Sequence, residues 1–446
     1  MPGRGTLVEA IIPFARSSPD LTPLIDRIGQ AQFVLLGEAT HGTHEFYWLR
    51  AEITKQLIRD GACRAVAIEW DWPDTYELNC FVRGLGAAQT VAEALAGFER
   101  FPKWMWRNSV VRDFLEWLRA YNAGRPAEQQ TGIYGLDLYS LHRSIHEVLT
   151  YLAAVDPEAA ARARERYSCF EHFGGSAQQY GLAAAIGVVE DCEDAVVEQL
   201  VELQRRAAEY LRRDGRRAAD AQFFAEQNAR LVANAERYYR AMFRGRASSW
   251  NIRDRHMAET LFALSDHLGL PGQPAQIAVW AHNSHLGDAR ATEMGWHGEL
   301  NVGQLVRERV GRDAVLVGFT TYQGTVTAAH DWDEPAQRMS VRPALLGSYE
   351  RLFHDIGLRD FLVVLTDSNG RPLVTDMPTE RLERAIGVIY RPVTERQNHY
   401  FHCRLVEQFD AVIHLDDTRA LVPLDPPRDW HEAEEEEPPE TYPTGI

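Results

Sequence analysis

Four short segments of this chain carry residue types that can move protons. Gly37-Glu38-Ala39-Thr40-His41-Gly42-Thr43-His44-Glu45, Glu69-Trp70-Asp71-Trp72, Asp137-Leu138-Tyr139 and His282-Asn283-Ser284-His285 each follow a short apolar, β-branched run. If those runs are neighbouring strands, two or three carboxylates and as many as four imidazoles meet in one cleft. Such a set activates water, because a carboxylate hydrogen-bonded to one imidazole nitrogen raises the basicity of the other. Each segment also has a plainer use. An acid after a strand often caps a helix or shapes a turn, His44 suits a helix face, and the His282/His285 pair can brace a loop. His41, in a glycine-flanked loop directly behind an apolar run, fits the plain reading least. A metal site of Glu38, His41, Glu69 and His285 is a second chemical option, since zinc accepts imidazole and carboxylate ligands.

Strands are predicted at 33–37, 65–69, 132–137, 276–281, 314–320, 361–365, 387–390 and 411–415, separated by helical patterns. That alternation marks an α/β fold with a mostly parallel sheet flanked by helices. Such sheets bind ligands beyond the carboxyl ends of their strands, where the four segments lie. Phe46, Leu49, Ile53 and Leu57 recur at spacings of three and four, which predicts an amphipathic helix over 44–59 capped by Thr43, with Glu45 in its first turn. From about residue 156 to 246 the composition turns to Ala, Glu, Arg and Gln, with apolar positions such as Val196, Leu200, Leu203, Ala207 and Tyr210. The expected organisation is a discontinuous α/β core, 1–150 and 251–425, a long all-helical insertion, 151–250, and an acidic disordered tail, 426–446, rich in Glu and Pro.

The chain has 446 residues, 45% hydrophobic and 25% charged, which suits a folded globular protein. Its net charge is −17, which opposes binding to nucleic acid or an anionic membrane surface. No apolar run reaches the ~18 residues of a membrane span, and the N-terminus lacks the pattern of a signal peptide. Five cysteines, scattered and without a CxxC pair, point to a reducing cytoplasm and away from a thiolate zinc site. There is no GxSxG, HExxH or GxxxxGK[ST], and no GxGxxG after a strand, so serine-elbow hydrolase, zincin, P-loop and dinucleotide-binding readings lack support.

The segment Gly37 to Glu45, with Arg50 beyond it, resembles the Gly-Glu-x-x-His hallmark of the erythromycin esterase family. Ala67-Ile68-Glu69, Gly135-Leu136-Asp137, Trp250-Asn251-Ile252-Arg253-Asp254 with Met257-Ala258-Glu259, and Ala281 to His285 agree in order, over roughly residues 25 to 420. The resemblance implies hydrolysis of a carboxylic ester, known in that family from opening the macrolactone ring of macrolide antibiotics. It implies that His41 is the general base toward water, and that Glu38 and Glu69 orient His41 and the water. His285, His282 and Arg50 are implied to stabilise the developing oxyanion or position the substrate. His44, Asp137 and Trp104 are further candidates for substrate contact, Trp104 within the aromatic run Phe101 to Trp106. The segment Arg391 to Glu395 and on through His399-Tyr400-Phe401 resembles a separate branch of the family. No metal and no cofactor are implied. The expected partner is a small-molecule ester or lactone, with no nucleic acid and no membrane, and no pattern speaks to oligomeric state.

Overall fold

A computed structural model describes residues 5–173, 176–189, 191–214, 216–243, 245–270, 273–377 and 379–430. Its strands are β1 (Ile11–Pro13), β2 (Phe33–Leu36), β3 (Cys63–Asp71), β4 (Gly132–Asp137), β5 (Gln276–Trp280), β6 (Ala314–Ala328), β7 (Gln337–Val341), β8 (Asp360–Val364), β9 (Arg381–Arg384), β10 (Tyr400–Cys403) and β11 (Ala411–Thr418). Nine form one mixed sheet in the order β1-β8-β11-β6-β2-β5-β3-β4, with β7 pairing β6 off that path. The neighbours from β11 to β4 are all parallel, and β1, β7 and β8 join antiparallel at the margins. This is the expected α/β fold.

Parallel strands covered on both faces read as continuous apolar runs, and alternate residues feed opposite cores. Phe33, Leu35, Ala65, Ala67, Ile277 and Val279 belong to one buried cluster; Val34, Leu36, Val66, Ile68, Ala278 and Trp280 belong to the other. The second face is covered by helices His44–Arg59 and Ser109–Asn122. The first is covered by helices Leu141–Val155, Glu193–Asp214, Arg216–Ala241 and Arg246–Leu268, whose apolar side chains merge with the sheet in one core. Helices Leu141–Val155 and Arg246–Leu268 run through residues 151 and 250, so the expected insertion boundaries fall inside helices rather than in linkers.

Seven of the eight predicted strands are present, while 387–390 is not a strand. There the chain makes isolated bridges, Ile389 with Ala329 and, just before, Ile386 with Thr40. The antiparallel pair β9/β10 replaces it; Glu383 and Arg384 in β9 are fully buried, so polar side chains hide the strand from a hydrophobicity pattern. Helix His44–Arg59 forms as expected but Thr43 does not cap it through its side chain; the hydroxyl bonds Thr40 instead. Cys169 and Cys192 are joined by a disulfide, so the scattered cysteines include one bonded pair, brought together across 23 residues of the helical region. Of the expected acidic tail, 426–430 packs on the body, burying Trp430, whose Nε1 donates to Thr327 Oγ1 at 3.3 Å. Residues 431–446 lie outside the described residues. No helix among the described residues is long and apolar enough to cross a membrane.

Candidate active site

The register brings the ends of three central strands level. Leu36 of β2 and Ile68 of β3 both pair with Trp280 of β5, so Glu38, Glu69 and His282 all leave the sheet within one or two residues of the same height. The loop after β2 is packed too closely for side chains at its glycines. A Cβ on Gly37 would sit 2.2 Å from Asn283 Oδ1, and one on Gly42 only 1.8 Å from the Thr327 carbonyl oxygen. The turn after β5 is tied to the same loop, since Asn283 N–H donates to the Glu38 carbonyl at 2.8 Å.

Glu38 has the parity of Leu36 and turns toward helix His44–Arg59. Its Oε2 pairs with Arg50 Nη2 at 2.6 Å, both side chains fully buried, and Arg50 lies over Tyr47 and beside Trp280. Its Oε1 receives His41 Nδ1 at 2.8 Å. A carboxylate on Nδ1 fixes the proton there and leaves Nε2 as an acceptor, and His41 lines the cleft.

Glu69 has the opposite parity and faces the other sheet face. Helix Arg246–Leu268 meets it there with Trp250, Arg253 and Asp254, which share one helix face by their spacing of three and four. Arg253 Nη2 donates to Glu69 Oε1 at 2.8 Å and to Asp137 Oδ2 at 2.7 Å, while its Nε donates to Asp137 Oδ1 at 2.9 Å. Glu69 Oε2 accepts the His282 N–H at 2.9 Å. Burial alone would raise the Glu69 carboxyl, but His285, His41 and Arg253 together hold it well below the usual range. His285 stacks on Trp250, 4.5 Å between centroids and 7° from parallel. Its Nδ1 donates to Asp254 at 2.8 Å and its Nε2 lies 3.3 Å from Glu69 Oε1. Burial lowers its pKa and Arg253 Nη1, 3.1 Å away, opposes its charge, yet Asp254 and Glu69 prevail and raise it to about 9. His282 is the reverse case: burial, then the neighbouring His41, drop it to about 3. Its Nδ1 accepts the Ser284 N–H at 3.2 Å, and its ring lies 4.9 Å from that of His41.

These residues surround a cleft of about 880 Å³ whose floor is His41, Glu69, Asp137, Arg253, His282 and His285. Phe101, Met105, Tyr139, Tyr238, Trp332 and Phe401 add apolar and aromatic walls. Three sequence candidates lie elsewhere. Arg50 does not reach the cleft and acts behind Glu38. His44 lines a separate shallow depression with Arg16, Glu45, Trp48 and Arg419, because the first turn of its helix points it to the outer face beside Trp48. Trp104 is buried in the core beneath the second sheet face; the turn Lys103–Met105 sends it inward while Phe101, Pro102 and Met105 line the cleft. Arg253 and Asp254 were given no role by sequence alone, although their shared helix face was a usable signal. Arg100 also escaped notice, and Asp71 was named only within the segment Glu69 to Trp72. No group of three or more His, Cys, Asp or Glu among the described residues is arranged to hold a metal ion.

Residues 58–418 match the family model described as erythromycin esterase. An erythromycin esterase type II of Escherichia coli is 22% identical over 340 residues, covering 72% of this chain and 77% of that one. Solved structures that share the fold include the following two. One, described as a succinoglycan biosynthesis protein, has a TM-score of 0.72 at 21% identity, covering 94% of this chain and 97% of that one. The other, an erythromycin esterase mutant in its open conformation, has a TM-score of 0.66 at 17% identity, covering 95% and 99%. With a family model spanning most of its length and that family's fold, the chain belongs to the erythromycin esterase family.

Proposed function

We propose that the protein hydrolyses a carboxylic ester or lactone by attack of water activated at His41. The observation that carries this reading is the chain Arg50–Glu38–His41, which holds the Nδ1 proton against a carboxylate and leaves Nε2 to the cleft. Family membership supports a hydrolase. Water gives its proton to His41 Nε2 as its oxygen adds to the ester carbonyl. The negative charge then grows on the carbonyl oxygen, where His285 and Arg253 supply positive charge. Collapse of the tetrahedral adduct breaks the carbon–oxygen bond of the leaving alcohol, which recovers the proton from His41. Glu69 holds Arg253, His285 and the His282 backbone in place. No covalent enzyme ester is needed, consistent with the missing serine elbow.

The test is a mass-spectrometric screen of wild type beside His41→Ala on macrolides and on simpler esters. A gain of one water, lost in the variant, supports the reading and names the substrate class. Turnover that persists in the variant overturns it.

A further inference from the structure

Arg100 is a cation in the same cleft that the steps above do not use. Its guanidinium carbon lies 4.5 Å from the ring centroid of Trp70 and 4.6 Å from that of Tyr139, and Trp70 is itself stacked on Phe98. Its Nε donates to Asp71 Oδ2 at 3.1 Å, while Asp71 Oδ1 accepts the N–H groups of Tyr139 at 2.6 Å and Ser140 at 3.2 Å. The side chain is therefore fixed by two rings and at one edge. Its terminal nitrogens make no hydrogen bond to any described residue, and it lines the cleft with 35% of its side chain exposed.

Arg253 makes the contrast. It lies 5.0 Å from the same Tyr139 ring, but its Nε and Nη2 are engaged by Asp137 and Glu69, and its Nη1 faces the His285 ring. Arg253 is bonded to both Asp137 and Glu69; the carboxylate hydrogen-bonded to Arg100 is Asp71, at the Nε edge, and Asp137 acts on Arg100 through its charge without a hydrogen bond. The other acids of the lining, Glu293, Glu299 and Asp333, make no bond to Arg100. A planar guanidinium already ordered on aromatic rings, with both terminal nitrogens open, matches a carboxylate or phosphate in a two-point contact. Being ordered beforehand, it loses little side-chain freedom on binding.

We infer that Arg100 anchors an anionic group, a carboxylate or a phosphate, on the molecule the cleft takes, so that the ester is an acidic one; this rests on the hydrolase reading above. Two measurements test it. The first is calorimetric titration of wild type, Arg100→Met and Arg100→Lys with succinate and, separately, inorganic phosphate. The second is the ratio of kcat/KM for monoethyl succinate over diethyl succinate. Succinate, phosphate or both should bind wild type and bind Arg100→Met about tenfold to a hundredfold more weakly, with Arg100→Lys between, and the ester ratio should fall by a similar factor. The preferred probe separates carboxylate from phosphate recognition. Binding of neither anion to wild type, or equal binding by Arg100→Met, overturns the inference. If Arg100→Met does not fold, the wild-type titration and Arg100→Lys decide. Arg100-dependent binding of anions with neither ester cleaved keeps the anchor and removes the hydrolase reading. Cleavage of both esters with a ratio indifferent to Arg100 does the reverse.

Discussion

On the sheet face covered by helix His44–Arg59, Glu38 is backed by Arg50 and offers one oxygen to His41; on the face covered by helix Arg246–Leu268, His285 has a carboxylate at each nitrogen. The two imidazoles are chemically alike in sequence and oppositely held. His41 keeps one nitrogen open to the cleft, as a proton acceptor requires, whereas His285 is held cationic at neutral pH, as a stabiliser of negative charge requires. The difference is made by the number of carboxylate partners. That in turn follows from strand parity, which sends Glu38 to one face and Glu69 to the other.

The largest expected effect separates the two halves by activity. His41→Ala should lower kcat by about a hundredfold to ten-thousandfold while leaving circular dichroism and melting unchanged, because no buried ion is left alone except Glu38, which keeps Arg50. Near-wild-type turnover in the folded variant would assign proton transfer to another group. Next is stability on the His41 side. Arg50→Met leaves the buried Glu38 carboxylate with the His41 N–H alone and should cost about 3–5 kcal/mol in denaturant unfolding; a loss below ~1 kcal/mol would mean that the Glu38–Arg50 pair adds little to stability.

The third contrast is in pH. His285 is raised from 6.5 to about 9, so its contribution to stability is complete below about pH 6.5 and is lost as pH climbs through about 9. Calorimetric scans from pH 6 to 10 should show a melting temperature that declines over that window in wild type and declines less in His285→Gln. Equal slopes in the two proteins would remove the doubly paired imidazolium. The smallest effect is outside both halves: His44→Ala should leave turnover unchanged and shift stability by no more than about 0.5 kcal/mol. A large fall in kcat for that variant would extend the working cluster to the depression by Arg419.

Much of this site was legible. The Gly37–Glu45 segment could be read because its acid and imidazole sit three apart in a loop behind a buried strand, and the glycines there are required by the close approach of Asn283 and Thr327. Glu69, Asp137, His282 and His285 were found for a related reason, that they follow apolar runs which a parallel sheet must align. Trp104 and His44 were misplaced because in-or-out orientation within a tight turn or at a helix start depends on one backbone angle that composition does not carry. The strand β9 was missed because Glu383 and Arg384 are buried with partners, Arg384 against Glu395 at 3.0 Å and Glu383 against Asn283 at 3.0 Å, which defeats a hydrophobic pattern.

By itself the sequence determined the α/β class, the strands that carry the acids and imidazoles, and a catalytic vocabulary of carboxylate and imidazole, because local periodicity and short-range spacing encode those things. Only the tertiary structure decided which imidazole keeps a nitrogen open to the cleft and which is held between two carboxylates. Arg253 stands more than a hundred residues from Glu69 and Asp137 in the chain, and it is packing of the Arg246–Leu268 helix on one sheet face that makes them partners. The same packing leaves Arg100 with open nitrogens in the cleft, since long-range contacts determine which charges are already engaged.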